Sequence, residues 1–130
     1  AYLRASLGLD HAVAAAGGLD YAVARKQRGG DRSVSISLPE RDWLDREVVL
    51  VDDMAATGRT LAAAAVAVRE RGARDVRVLV THPLFTGDAE SHLRRAGVTT
   101  VWSTDSIPHA SNVIALASLL ADALRGSRTE

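Results

Sequence analysis

The sequence predicts an α/β fold, a doubly wound and mostly parallel sheet with helices on both faces and a short flap or hairpin. Three short segments rich in apolar residues, Val48–Val51, Val76–Val80 and Val98–Trp102, alternate with stretches of helical character. Short continuous apolar runs suit strands covered on both faces, and the intervening helices suit parallel crossover connections. At 130 residues the chain is long enough for one core and too short for two. A single domain over residues 1–130 is therefore expected.

Along the chain, residues 6–16 hold Leu7, Val13 and many alanines, good helix formers, before the stop signal Gly17-Gly18. Residues 19–25, with Tyr21 and Val23 alternating with small residues, suit a strand, and residues 26–32 read as a charged, Gly-containing loop. Val34, Ile36 and Leu38 alternate with Ser33, Ser35 and Ser37 until Pro39, which marks one arm of a flap with one wet face. A polar connection containing Trp43 leads to the strand at residues 48–51 and then to an acidic loop.

A helix is expected over 59–71, closed by Gly72, followed by a strand over 75–81 in a right-handed crossover. A short helix through Arg95, a strand over 98–102 and a polar loop over 104–112 come next. An edge strand over 113–116 and an amphipathic helix over 117–124 complete the pattern, ahead of a polar tail. The Ala-rich stretch from Leu61 to Val68 is too short to span a membrane and suits close packing against the sheet.

Composition narrows the function. Lys plus Arg equals Asp plus Glu at 16 each, so no global field favours nucleic acid or an anionic membrane, and any anion site must be local. The chain has no cysteine, which excludes disulfides, thiol catalysis and thiolate metal sites and suits a cytoplasmic protein. No secretory pattern opens the chain. It begins without Met, and truncation at the amino terminus is expected.

The richest segment is Val48-Val49-Leu50-Val51-Asp52-Asp53-Met54-Ala55-Ala56-Thr57-Gly58-Arg59-Thr60. A buried strand here delivers two carboxylates and a Thr-Gly-x-Thr loop to one point, immediately before a helix. The hydroxyls of Thr57 and Thr60 offer donors, Gly58 allows close backbone approach, and the positive end of the helix favours a phosphate dianion. Asp52 and Asp53 are suited to accept hydrogen bonds from vicinal sugar hydroxyls or to touch a divalent metal. Solvated strand-end carboxylates, and the acid pairs of phosphoacceptor or phosphatase folds, are the competing readings. The chain holds neither a Gly-Lys-Ser/Thr nucleotide loop nor a dinucleotide fingerprint. His82, at a strand's end, faces the expected ligand crevice, where a phosphate or metal contact is the competing reading. No second His or carboxylate lies at ligand spacing, so a hydrogen-bonded structural role is expected for it, and loop ordering or a subunit contact for His109.

At these residues the chain resembles the type I phosphoribosyltransferase fold, whose signature is a hydrophobic strand, two acids and a Thr-Gly-x-Thr loop. Further segments look like the carboxyl-terminal half of the ribose-phosphate diphosphokinases. These are Lys26-x-Arg28 followed by Gly-Asp-Arg, Thr81-His82-x-Leu84-Phe85, and Ser103-Thr104-Asp105-x-Ile107-Pro108-His109-x-Ser111-Asn112. The matches run in order over about residues 18–121.

The resemblance implies that Asp52 and Asp53 hold the ribose hydroxyls, while Ala56, Thr57, Gly58, Arg59 and Thr60 wrap the 5-phosphate. It gives Lys26 and Arg28 the catalytic role of a flexible-loop pair acting on the transferred diphosphoryl group, with Mg2+ as cofactor and ATP as co-substrate. Such a transfer spreads charge over phosphate oxygens and needs fixed cations more than a covalent nucleophile. The implied partners are ribose 5-phosphate or phosphoribosyl diphosphate, a missing amino-terminal half or partner subunit, and further copies in a homo-oligomer.

The sequence departs from the family pattern at three places. Ala56 stands where many relatives carry a third Asp, Arg59 stands where Gly is frequent, and residues 1–6 lack the Asp of the diphosphate-binding turn. A free-standing nucleobase phosphoribosyltransferase and a catalytically inactive regulatory homologue are the alternatives.

Overall fold

The computed structural model describes residues 2–4, 9–28 and 34–127, with side chains described from Ala12 onward except that of Arg28. Its elements are β1 (Tyr2–Arg4), α1 (Leu9–Gly17), β2 (Tyr21–Val23), β3 (Arg25–Arg28), β4 (Val34–Ser37) and β5 (Glu47–Ala55). They continue with α2 (Arg59–Glu70), β6 (Asp75–Pro83), α3 (Ala89–Arg95), β7 (Thr100–Thr104), β8 (Asn112–Ile114) and α4 (Leu116–Ser127). Six strands form one sheet in the order β2-β1-β5-β6-β7-β8, every neighbouring pair parallel. β3 and β4 pair antiparallel as a separate two-stranded flap.

The α/β architecture expected from the alternating pattern is thus present, with helices flanking a parallel sheet. On β5, Val48 and Leu50 are buried against a cluster that includes Leu61, Ala64, Ala65 and Val68 of α2 and Val76, Val78 and Val80 of β6. Ala64 and Ala65 sit on the buried face of α2. Their small side chains let the helix lie close to the sheet, as the Ala-rich stretch suggested. α1 packs against β1, β2 and β5.

Several elements differ from the sequence reading. The charged stretch 25–28 is a strand, because its backbone pairs with Val34–Ser37 in the register Lys26↔Ile36 and Gln27↔Ser35. Exposed flap strands need no apolar face, so the periodicity that marks a buried strand is missing there. The remainder of the expected loop, residues 29–32, lies outside the described residues. β1 was not anticipated. It inserts between β2 and β5, placing Leu3 opposite both Ala22 and Leu50.

β5 runs on through Ala55, so Asp52 and Asp53 lie on the strand and not in the following loop. β7 sits two residues later than expected and β8 one residue earlier. Trp43, assigned from sequence to a polar connection, is only 1% exposed and is the largest fully buried side chain. The Arg41 guanidinium lies 5.5 Å from its ring centroid, and Trp43 Nε1 donates to Pro39 O at 3.4 Å.

At the amino-terminal end of the sheet, Thr99 Oγ1 donates to Asp75 Oδ1 at 2.6 Å, and Arg77 Nε lies 2.7 Å from Asp75 Oδ2. The Thr99 hydroxyl first, and then the Arg77 guanidinium, outweigh the raising effect of burial and hold the Asp75 carboxyl below its ordinary value. The start of β6 is thereby tied to the approach to β7.

Candidate functional site

The site is assembled at the carboxyl ends of β5 and β6, where parallel α/β sheets place their ligand crevices. Asp52 is half-buried and Asp53 exposed. Asp53 N donates to Asp52 Oδ1 at 3.0 Å, and Met54 N donates to Asp53 Oδ1 at 2.9 Å. Each carboxylate is therefore oriented by the amide that follows it.

Beyond β5 the backbone turns sharply into α2. Gly58, the residue capping this helix, takes the left-handed conformation with φ of 71° and supplies no side-chain cap. Its tolerance of that conformation is half of why glycine stands there. The other half is space: a Cβ at Gly58 would lie 3.2 Å from Ala89 O and 3.4 Å from Leu93 Cγ. Thr86 N donates to Ala56 O at 3.0 Å, so the segment before α3 supports the loop from below. The first turn of α2 carries no acidic residue. Its positive end is thus left to attract an anion from outside, with Thr57, Arg59 and Thr60 around it.

The flap reaches this loop. Lys26 Nζ donates to Thr60 Oγ1 at 3.0 Å, placing an ammonium beside the hydroxyl expected to bind phosphate. Lys26 also lines a cavity of about 1300 Å³ at the foot of the flap, bounded by β2 and by residues 37–41. The Arg28 backbone pairs with Val34, while its side chain lies outside the described residues, as do Gly29, Gly30, Asp31 and Arg32. Of the expected diphosphate-turn region, only residues 2–4 are described, as β1.

His82 and His109 are both hydrogen-bonded. His82 Nδ1 lies 2.9 Å from Ser106 Oγ. His109 Nδ1 meets Ser111 Oγ at 2.7 Å and its Nε2 meets Glu90 Oε1 at 2.8 Å, with the Phe85 ring centroid 5.1 Å away. Ser103 and Ser111 share a buried 2.7 Å bond, and Asn112 Nδ2 donates to Ser103 Oγ, Thr104 O and Ile107 O. This network orders the loop between β7 and β8. Sequence reasoning attached no role to Ser106, because nothing local indicates that its hydroxyl reaches the end of β6.

Among the described residues no group of three or more His, Cys, Asp or Glu side chains is placed to hold a metal. The hard oxygen donors of Asp52 and Asp53 suit Mg2+, which is usually bound by one or two carboxylates together with substrate phosphates. No described helix is long and apolar enough to cross a membrane.

A family model described as the phosphoribosyl synthetase-associated domain matches residues 41–125, which include the acid pair, the Thr-Gly-x-Thr loop, His82 and the loop after β7. The chain belongs to this family. Among similar proteins, the ribose-phosphate pyrophosphokinase of Methanosarcina acetivorans is 38% identical over 118 residues, covering 91% of this chain and 42% of the relative. That of Methanosarcina mazei is 38% identical over 119 residues, covering 92% and 40% respectively.

The crystal structure of phosphoribosylpyrophosphate synthetase from Mycobacterium smegmatis superposes with a TM-score of 0.70 at 25% identity, covering 98% of this phosphoribosyl synthetase-associated chain and 44% of that one. The chain thus spans about two fifths of the length of the relatives it matches.

Proposed function

We propose that this chain is the sugar-phosphate-binding part, corresponding to the carboxyl-terminal half, of a ribose-phosphate pyrophosphokinase-like enzyme. In the full enzyme the anomeric hydroxyl of ribose 5-phosphate attacks the β-phosphorus of ATP. The β,γ-diphosphoryl group moves to the sugar and AMP leaves. Asp52 and Asp53 accept hydrogen bonds from the ribose hydroxyls, and residues 56–60 surround the 5-phosphate. Lys26 and Arg28 offset charge on the transferring group. Mg2+ supplies charge neutralisation of the phosphates when bound, and Asp52 and Asp53 are the carboxylates that would share it.

The observation that carries this reading is the Lys26–Thr60 hydrogen bond, which joins the flap cation to the anion loop beside the acid pair. The names of the matched relatives support the reaction class. The relatives are more than twice as long as the stretch they share with this chain, and a complementary amino-terminal half or partner subunit is proposed to complete the site. Leu119, Leu120 and Leu124 of α4, each more than half exposed, support assembly with further polypeptide. The cytoplasm, where ATP and sugar phosphates are available, is the proposed compartment.

Calorimetric titration with ribose 5-phosphate tests the site without requiring turnover. The native chain is expected to bind, and the Asp52→Asn/Asp53→Asn double variant to lose binding while melting as a folded protein. Unchanged affinity in that variant would remove the sugar-site assignment.

A further inference from the structure

The hydrogen bonds around His82 determine which of its ring nitrogens can meet a ligand. Ser106 Oγ donates to Thr81 O at 3.0 Å, and that carbonyl also accepts from Thr104 Oγ1 at 2.6 Å. A carbonyl oxygen has no proton to give, so the Ser106 hydroxyl proton is committed to Thr81. Ser106 can then offer His82 Nδ1, 2.9 Å away, only a lone pair. Nδ1 must carry the hydrogen, and in the neutral ring Nε2 is a bare acceptor. Among the described residues no group meets Nε2.

The sheet order sets the direction of that acceptor. Ser106 follows β7, which flanks β6 on one side, while β5 flanks it on the other. Nδ1 is held on the β7 side, and the two ring nitrogens point to roughly opposite edges of the imidazole. The Nε2 edge of the ring lies away from Ser106, and β5 is the strand on that side of β6. There His82 pairs in register with Met54, two positions beyond the Asp52↔Val80 pair. Both His82 and Met54 are exposed at the mouth of the crevice.

We propose that His82 is a sugar-contacting residue, whose Nε2 accepts a hydrogen bond from a hydroxyl of the sugar held by Asp52 and Asp53, with Ser106 as the positioning residue that selects the tautomer. This rests on the sugar-phosphate reading above. The contact adds an uncharged acceptor beside two carboxylates. It favours a hydroxylated ligand without adding to the negative charge that a phosphate must approach.

The test uses the full chain, labelled with 15N for long-range proton–nitrogen spectra of the imidazole and titrated with ribose 5-phosphate and, separately, inorganic phosphate. The free protein should show Nδ1 protonated and Nε2 unprotonated for His82. Ribose 5-phosphate should move the Nε2 resonance in the direction of a newly accepted hydrogen bond. Inorganic phosphate, which has no sugar hydroxyl, should leave it in place. His82→Asn keeps an N–H near the position of Nδ1 and deletes Nε2, and should weaken ribose 5-phosphate roughly fivefold to tenfold with melting unchanged.

His82→Gln, whose amide oxygen can reach the position of Nε2, should recover part of that loss. If native protein binds ribose 5-phosphate with a stationary Nε2 resonance, or His82→Asn binds as tightly as native, the His82 contact is wrong and the sugar site stands. Failure of the native chain to bind ribose 5-phosphate would overturn both.

Discussion

Lys26 Nζ and Thr60 Oγ1 are 3.0 Å apart although 34 residues separate them in sequence. One belongs to the flap and the other to the first turn of α2. Their bond closes the flap onto the anion loop and gives the exposed hairpin a defined resting position.

Replacing this lysine should expose its electrostatic share of phosphate binding. A charge-assisted hydrogen bond at an exposed site is worth about 1 kcal/mol, so Lys26→Ala is expected to weaken ribose 5-phosphate by about three- to tenfold. The loss should shrink as ionic strength rises, because salt screens an ammonium that the variant lacks. Calorimetry at two salt concentrations measures both effects. Equal affinities at low salt would show that Lys26 plays no part in holding the phosphate.

Gly58→Ala should damage both fold and site. The left-handed backbone is unfavourable for alanine, and the added methyl carbon would press on Ala89 O at 3.2 Å. Strain of this type costs about 1–3 kcal/mol, to be read as a lowered urea midpoint. Because Gly58 opens α2, phosphate binding should fall as well. A variant with native stability would mean that the loop relaxes freely away from α3.

Asp75 predicts a specific acid response. Its folded-state pKa is depressed, so its stabilising contribution is present above the ordinary carboxylate value near pH 4 and disappears as pH falls through the lower folded value. Thr99→Val removes the leading cause of the depression. It should destabilise the chain by about 1 kcal/mol at pH 7, and the gap from native should narrow as the pH is taken well below 4. Urea unfolding across that range measures the gap, and a difference that is constant with pH would exclude this linkage.

Much of the architecture was legible because it is locally encoded. The apolar run of β5, the small residues on the buried face of α2 and the glycine at its start each reflect a constraint imposed by close sequence neighbours. The flap was half legible. β4 alternates polar and apolar residues, whereas Arg25–Arg28 has no such pattern and becomes a strand through pairing with β4. Trp43 escaped notice as a core residue because polar neighbours surround it in sequence, while its burial depends on residues brought to it by the sheet.

The sequence by itself determined the chemistry available at one strand end: two acids, a glycine turn and hydroxyls before a helix. Tertiary structure decided which distant groups share that place. It set Lys26 on Thr60, inserted β1 beside β5, and pinned His82 through Ser106. Helix periodicity and turn geometry act over a few residues and leave a pattern that can be read. Strand order and hydrogen-bond partners across the fold arise only when the chain closes on itself, and no short window of sequence records them.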